Sequence, residues 1–109
     1  MPRPRKRRTL TRAPQQAIYK PAGVPLDGLR LVTLLHEELE ALRLSDLEDL
    51  SQADAAQRMG VSRSTFQRIV TRARRQVSLA LAEGHALRIA GGTFRVRAPG
   101  RQHGPDRPV

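Results

Sequence analysis

Apolar residues recur at helical spacing in the middle of the chain and alternate at strand spacing near its end. Leu35, Leu39 and Leu42 repeat at i, i+4 and i+7 and predict a first helix over about residues 36–45. Glu37, Glu38 and Glu40 crowd the start of that helix, where negative charge suits the positive end of the helix dipole. "SDLEDLSQ" then breaks the pattern. Ser51, with Asp54 three residues on, opens a short second helix over about residues 52–59. Gly60 stands where a helix end needs a left-handed residue, and Ser62 is a good N-cap for the next helix. From about Arg63 to Ala82, Phe66, Ile69, Val70, Ala73 and Val77 form one apolar stripe, the inward face of a third helix.

Outside these helices the pattern is less decided. "YKPAGVPLDG" has a loop composition, and the apolar "LRLVTLL" after it is buried as a strand or as a helix lead-in. "ALRIAGGTFRVR", residues 86–97, alternates about Gly91-Gly92 and fits a two-residue hairpin that pairs Ala90 with Thr93, Ile89 with Phe94 and Leu87 with Val96. That register sets Arg88 opposite Arg95, a like-charge pair that is destabilising by itself. The segment therefore reads as a basic wing, as a packing hairpin or as a loop. Residues 1–16 and 98–109 hold too few apolar side chains to offset the entropy of ordering them, and are expected to be a disordered basic arm and a disordered tail. The expected fold is a mainly α, three-helix domain over residues 17–97 with this hairpin at its end.

The second and third helices carry the spacing of a helix-turn-helix unit over residues 52–73. Ala56 falls where the helices touch, Gly60 at the turn, and Met59, Val61, Phe66 and Ile69 at inward positions. An ordinary helical hairpin would satisfy the apolar pattern too, and charge separates the two readings. The net charge is +10, unevenly spread: residues 1–12 carry +6, residues 27–54 carry −6, and residues 55–82 carry +6. Nothing acidic lies between Ala55 and Ala82, although like charges such as Arg68 and Arg72 repel at i,i+4. Phosphates would supply the missing negative charge. On this reading Arg63, Ser64, Gln67 and Arg68, at the start of the third helix, reach base edges in the major groove. Gln52, Ser62, Thr71, Arg72 and Arg75 contact phosphates, joined by Arg88 and Arg95 if the hairpin is a wing. Arg3, Arg5, Lys6, Arg7 and Arg8 form the basic arm.

The chain also resembles a family. "PRPRK", "KPAGVPL", "ELEALRLSDLEDLSQADAAQRMGVSRSTFQRI" and "ALRIAGG" are similar to an uncharacterised UPF-type family of short predicted DNA-binding proteins. The helix-turn-helix of that family is similar to region four of sigma factors. The resemblance implies an all-helical core and DNA binding, with transcriptional regulation the usual inference; it implies no operator or ligand. His36 departs from the pattern, standing where an apolar residue or Thr is expected.

Other chemistry finds little support. There is no cysteine, so disulfides, thiolate metal sites and a cysteine nucleophile are excluded. His36, His85 and His103 fall in three different segments, and no phosphate loop or metal-ligand spacing occurs. No enzyme, cofactor or metal is expected. Neither a membrane-spanning apolar run nor a secretory leader follows the basic N-terminus, and a cytoplasmic protein is expected. The expected partner is double-stranded DNA, bound tightly only by a homodimer or with help from the arms, because one module buries too little surface. Two alternatives remain: an RNA- or ribosome-associated protein, disfavoured by having only Tyr19, Phe66 and Phe94 as aromatics, and a sigma-like module that docks on RNA polymerase through the acidic first helix.

Overall fold

The computed structural model describes residues 7–11 and 16–96. Strand β1 (Arg8–Leu10) and β2 (Ala17–Tyr19) precede β3 (Leu31–Leu34), helices α1 (His36–Leu42), α2 (Gln52–Met59) and α3 (Arg63–Glu83) follow, and β4 (Ala86–Ile89) and β5 (Phe94–Val96) complete the fold. The two later helices have the expected bounds, and their local signals are used as the sequence suggests. Ser51 Oγ accepts from Asp54 N, Ser62 Oγ accepts from Thr65 N, and Gly60 ends α2 at φ 68°. The first helix stops at Leu42 and continues to Leu47 as a wider π-type turn, in which Glu48 N donates to Arg43 O at 2.8 Å. No helix among the described residues is long and apolar enough to cross a membrane.

The helical core lies between α1, α2 and α3. Ala41, Leu44, Ala55, Ala56, Met59, Phe66, Ile69 and Val70 form one buried cluster, with Leu42, Leu50 and Val61 packed against it. The small side chain of Ala56, 2% exposed, lets α2 approach α3 closely. Ala56→Leu should therefore destabilise the domain by about 1–3 kcal/mol through overpacking. Urea titration of the variant beside the parent checks this, and coincident midpoints would place the close approach elsewhere.

The mainly helical expectation gives way to an α/β domain, because the strands form two small sheets. In the first, β4 lies between β2, antiparallel to it, and β3, parallel to it; Leu34 pairs with Ile89 and Val32 with Leu87. "LRLVTLL" thus supplies a strand. Parallel neighbours need a crossover, and all three helices make up the one from β3 to β4. Leu34 and Ile89 pack with Ala73 of α3 in a second buried cluster. In the second sheet β1 and β5 pair in parallel, Thr9 with Arg95.

The expected hairpin over 86–97 does not form. Both of its strands exist, but β4 joins β2 and β3 while β5 joins β1. Gly91 (φ 71°) and Gly92 (φ 108°) carry the chain across the start of α1 instead of folding it back. There Gly91 O accepts from His36 N at 3.2 Å, filling one of the donors a helix start leaves open. The crossing also puts Arg88 and Arg95 in different sheets. The N-terminal arm needs correction too: Arg8 and Leu10 are buried in β1 rather than free. Arg3, Arg5, Lys6 and the expected tail at 98–109 lie outside the described residues.

Candidate nucleic-acid interface

The first half of α3 presents a polar face held in place by its own hydrogen bonds. With Phe66, Ile69 and Val70 buried against α2, the residues between them point outward: Ser62, Arg63, Ser64, Gln67, Arg68, Thr71, Arg72 and Arg75 are all exposed. Ser62 Oγ lies 3.0 Å from Thr65 Oγ1 and 3.2 Å from Ser64 Oγ. Gln67 Oε1 accepts from Gln52 Nε2 across the turn, and Gln67 Nε2 donates to Thr71 Oγ1 at 3.2 Å. Arg68 donates to Thr65 Oγ1 at 3.4 Å. Gln52, Ser62, Ser64, Gln67, Arg68 and Thr71 are thus brought together as one surface.

Part of the missing negative charge comes from the chain itself. Arg72 pairs at 2.5 Å with Glu38, and Arg74 pairs at 2.7 Å with Asp46. The Arg74 hydrogen bond holds the Asp46 carboxyl below the usual carboxylate range. Among the described residues Arg63, Arg68 and Arg75 form no salt bridge, so within α3 the uncompensated charge is concentrated at them. The same holds for Arg58, exposed in the last turn of α2, which was visible in the sequence only as one more charge of the basic block.

The carboxylates at the start of α1 are buried and bind three other parts of the chain. Glu37 Oε1 accepts from Thr93 N at 3.0 Å, with Arg8 nearby. Burial pushes its carboxyl up. Glu38 accepts from Leu35 N and from Arg72, whose guanidinium it steadies on α3. Glu40 accepts from the Thr11 amide at 3.1 Å and its hydroxyl at 2.8 Å, and from Arg43. Burial pushes Glu40 up, but its bonds to Arg43 and Thr11 outweigh this and hold its pKa below the usual value. These side chains are turned inward, while Asp46, Glu48, Asp49 and Asp54 of the same acidic block are exposed. The stripe expected to be buried is instead partly outside, with Leu39 38% exposed.

The remaining expected contacts separate from this surface. Arg88 lies on the face of β4 opposite Ile89, away from α3, and donates to Thr33 Oγ1 at 3.3 Å. Arg95 is a residue of β5, in the other sheet. Arg7, which is exposed, precedes β1, and β1 runs past the turn: a Cβ on Gly60 would lie 3.4 Å from Thr9 Oγ1. Two of the aromatics are used in packing, Phe66 in the core and Phe94 edge-on to His36 with ring centroids 5.2 Å apart.

The family described as protein of unknown function DUF134 matches residues 1–97. A UPF0251 protein of Desulforudis audaxviator is 55% identical over 94 residues, which are 86% of this chain and 61% of the relative. This chain therefore spans less than two thirds of that protein's length. A UPF0251 protein of Dehalococcoides mccartyi is 53% identical over 98 residues, 90% of this chain and 84% of the relative. One from Caldanaerobacter subterraneus is 49% identical over 96 residues, 88% of this chain and 81% of the relative. No solved structure matches the chain.

Proposed function

This chain belongs to the DUF134 family, whose match takes in every element from β1 to β5, and we propose that the unit binds duplex DNA sequence-specifically as a transcriptional regulator. In this reading α2 and α3 are a helix-turn-helix similar to region four of sigma factors, with α3 entering the major groove. The observation that carries it is the exposed face of α3 from Arg63 to Arg75, which holds these two arginines and Arg68 without salt bridges among the described residues and lacks any acidic side chain. Such a surface is completed by phosphates. Arg63, Ser64, Gln67 and Arg68 read base edges, since Arg can bond guanine bidentately and Gln adenine. Gln52, Ser62, Thr71, Arg72 and Arg75 hold the backbone, Arg72 steadied by Glu38. Arg7 and Arg58 extend the basic rim on either side of the turn.

Gln67 already uses both ends of its amide, on Gln52 and Thr71. Reading a base means exchanging the exposed Thr71 bond for one to adenine, while Gln52 keeps the amide oriented. Selection of bound sequences from random duplex DNA should yield a defined site. On that site Gln67→Ala should lose about 1–3 kcal/mol of discrimination, whereas Arg75→Ala should weaken all duplexes alike. Equal losses on the selected site and on random DNA for Gln67→Ala would remove base reading from that residue. Failure of the parent to bind any duplex would remove the function.

A further inference from the structure

Beside the C-terminal half of α3, the sheet and α1 leave an apolar hollow of about 340 Å³. Tyr19, Leu39, Leu42, Val77, Leu81 and Leu87 line most of it, and none of its lining residues is charged. Tyr19 is 61% exposed and Leu81 77% exposed, so the hollow is flanked by protruding side chains. Apolar side chains grouped around an uncharged hollow, unlike single exposed ones such as Leu47, mark an interaction site. We propose that it is the contact between two copies of this chain.

Three observations select a second copy as the occupant. First, the residues outside the described ones are poor in apolar side chains. Besides prolines, the residues outside the described ones carry only Met1, Ala13, Ala98 and Val109 as apolar side chains. Second, the surface suits itself: Leu81 is a projection beside a cavity, and a two-fold contact lets each Leu81 enter the partner's hollow reciprocally. Third, the chain carries a net charge of +10, so two copies approach at least cost through a face without charges. The contact lies toward the far end of α3, which leaves the first half of that helix open. The nine described residues that line the hollow are fewer than the roughly 20–30 per partner of a standard interface, so the dimer is weak, forming at about micromolar concentrations.

The contact is independent of the DNA reading and is tested without DNA. Sedimentation velocity of the full chain over a wide concentration range should move from monomer toward dimer. Leu81→Glu should weaken association by roughly a hundredfold or more, since each two-fold contact contains the substitution twice. Tyr19→Glu, a second exposed position, should act the same way. Leu47→Glu replaces a leucine that is equally exposed, at 76%, but outside the hollow, and should associate like the parent. A parent that stays monomeric up to its solubility limit overturns the proposal, and so does association unchanged by both Leu81→Glu and Tyr19→Glu. Loss of DNA binding with association intact would count against the proposed function alone.

Discussion

Phe66→Ala should lower the unfolding free energy by about 3–5 kcal/mol, a large part of what a domain of this size has. Phe66 is fully buried and is the largest side chain in the helical core. Its neighbours there include Ala41, Ala55 and Ala56, which have no side-chain freedom with which to collapse into the space it would leave. The cavity should therefore persist, and its cost should lie toward the upper end of the range. Phe66→Leu retains much of the volume and should lose markedly less. Urea denaturation of both variants measures the difference. A loss below about 1 kcal/mol for Phe66→Ala would mean that α2 and α3 are not held together through this residue.

Gly92→Val should cost about 3 kcal/mol or more, and for two separate reasons. At φ 108° the backbone is in a region that a β-branched residue enters only under strain. In addition, a Cβ there would stand 2.0 Å from Glu37 Oε1 and 3.4 Å from Leu35 Cβ. Glu37 is 2% exposed and accepts from Thr93 N, so moving aside means losing that bond while the carboxylate stays buried. Because Thr93 O accepts from Arg8 N, the pairing of β1 with β5 should loosen first. Hydrogen exchange at the Arg8–Leu10 amides should accelerate ahead of exchange in α3. Glu37→Gln keeps an acceptor for Thr93 N and should cost less. A Gly92→Val variant that melted with the parent would show that the crossing loop does not rest on Glu37.

The two later helices were legible because their signals are local. Ser51, Gly60 and Ser62 act on groups within a turn of themselves, and the apolar stripe of α3 needs only its own period. The sheets were not legible, because the partner of each strand is far away in sequence. Ile89 had a candidate partner close by in Phe94 and found its real ones in Leu34 and Ala17. The Arg88–Arg95 conflict was the one local sign that the near pairing was wrong. The first helix misled in a different way. Period alone put Leu39 inside and the glutamates at the surface, whereas Glu37, Glu38 and Glu40 are inside because each satisfies donors or cations from distant segments. Of the candidate surface, the α3 positions and Gln52 could be read from spacing. That Arg72 and Arg74 have acidic partners on the preceding segments could not.

The parallel pairing of the first strand with the last has a consequence for how this chain folds. The α2 and α3 contacts are short-range and can form as soon as those residues meet. Strand β1, in contrast, gains its sheet partner only when β5 arrives, after every other described element has been made. Closing so long a loop is paid in entropy before any pairing rewards it, which makes this step slow relative to helix packing. During synthesis on the ribosome, β1 therefore emerges before the other described strands and is among the last of them to be covered. A chain arrested before Phe94 would carry a formed helical unit and an open strand edge, the combination that most favours pairing with a neighbouring chain.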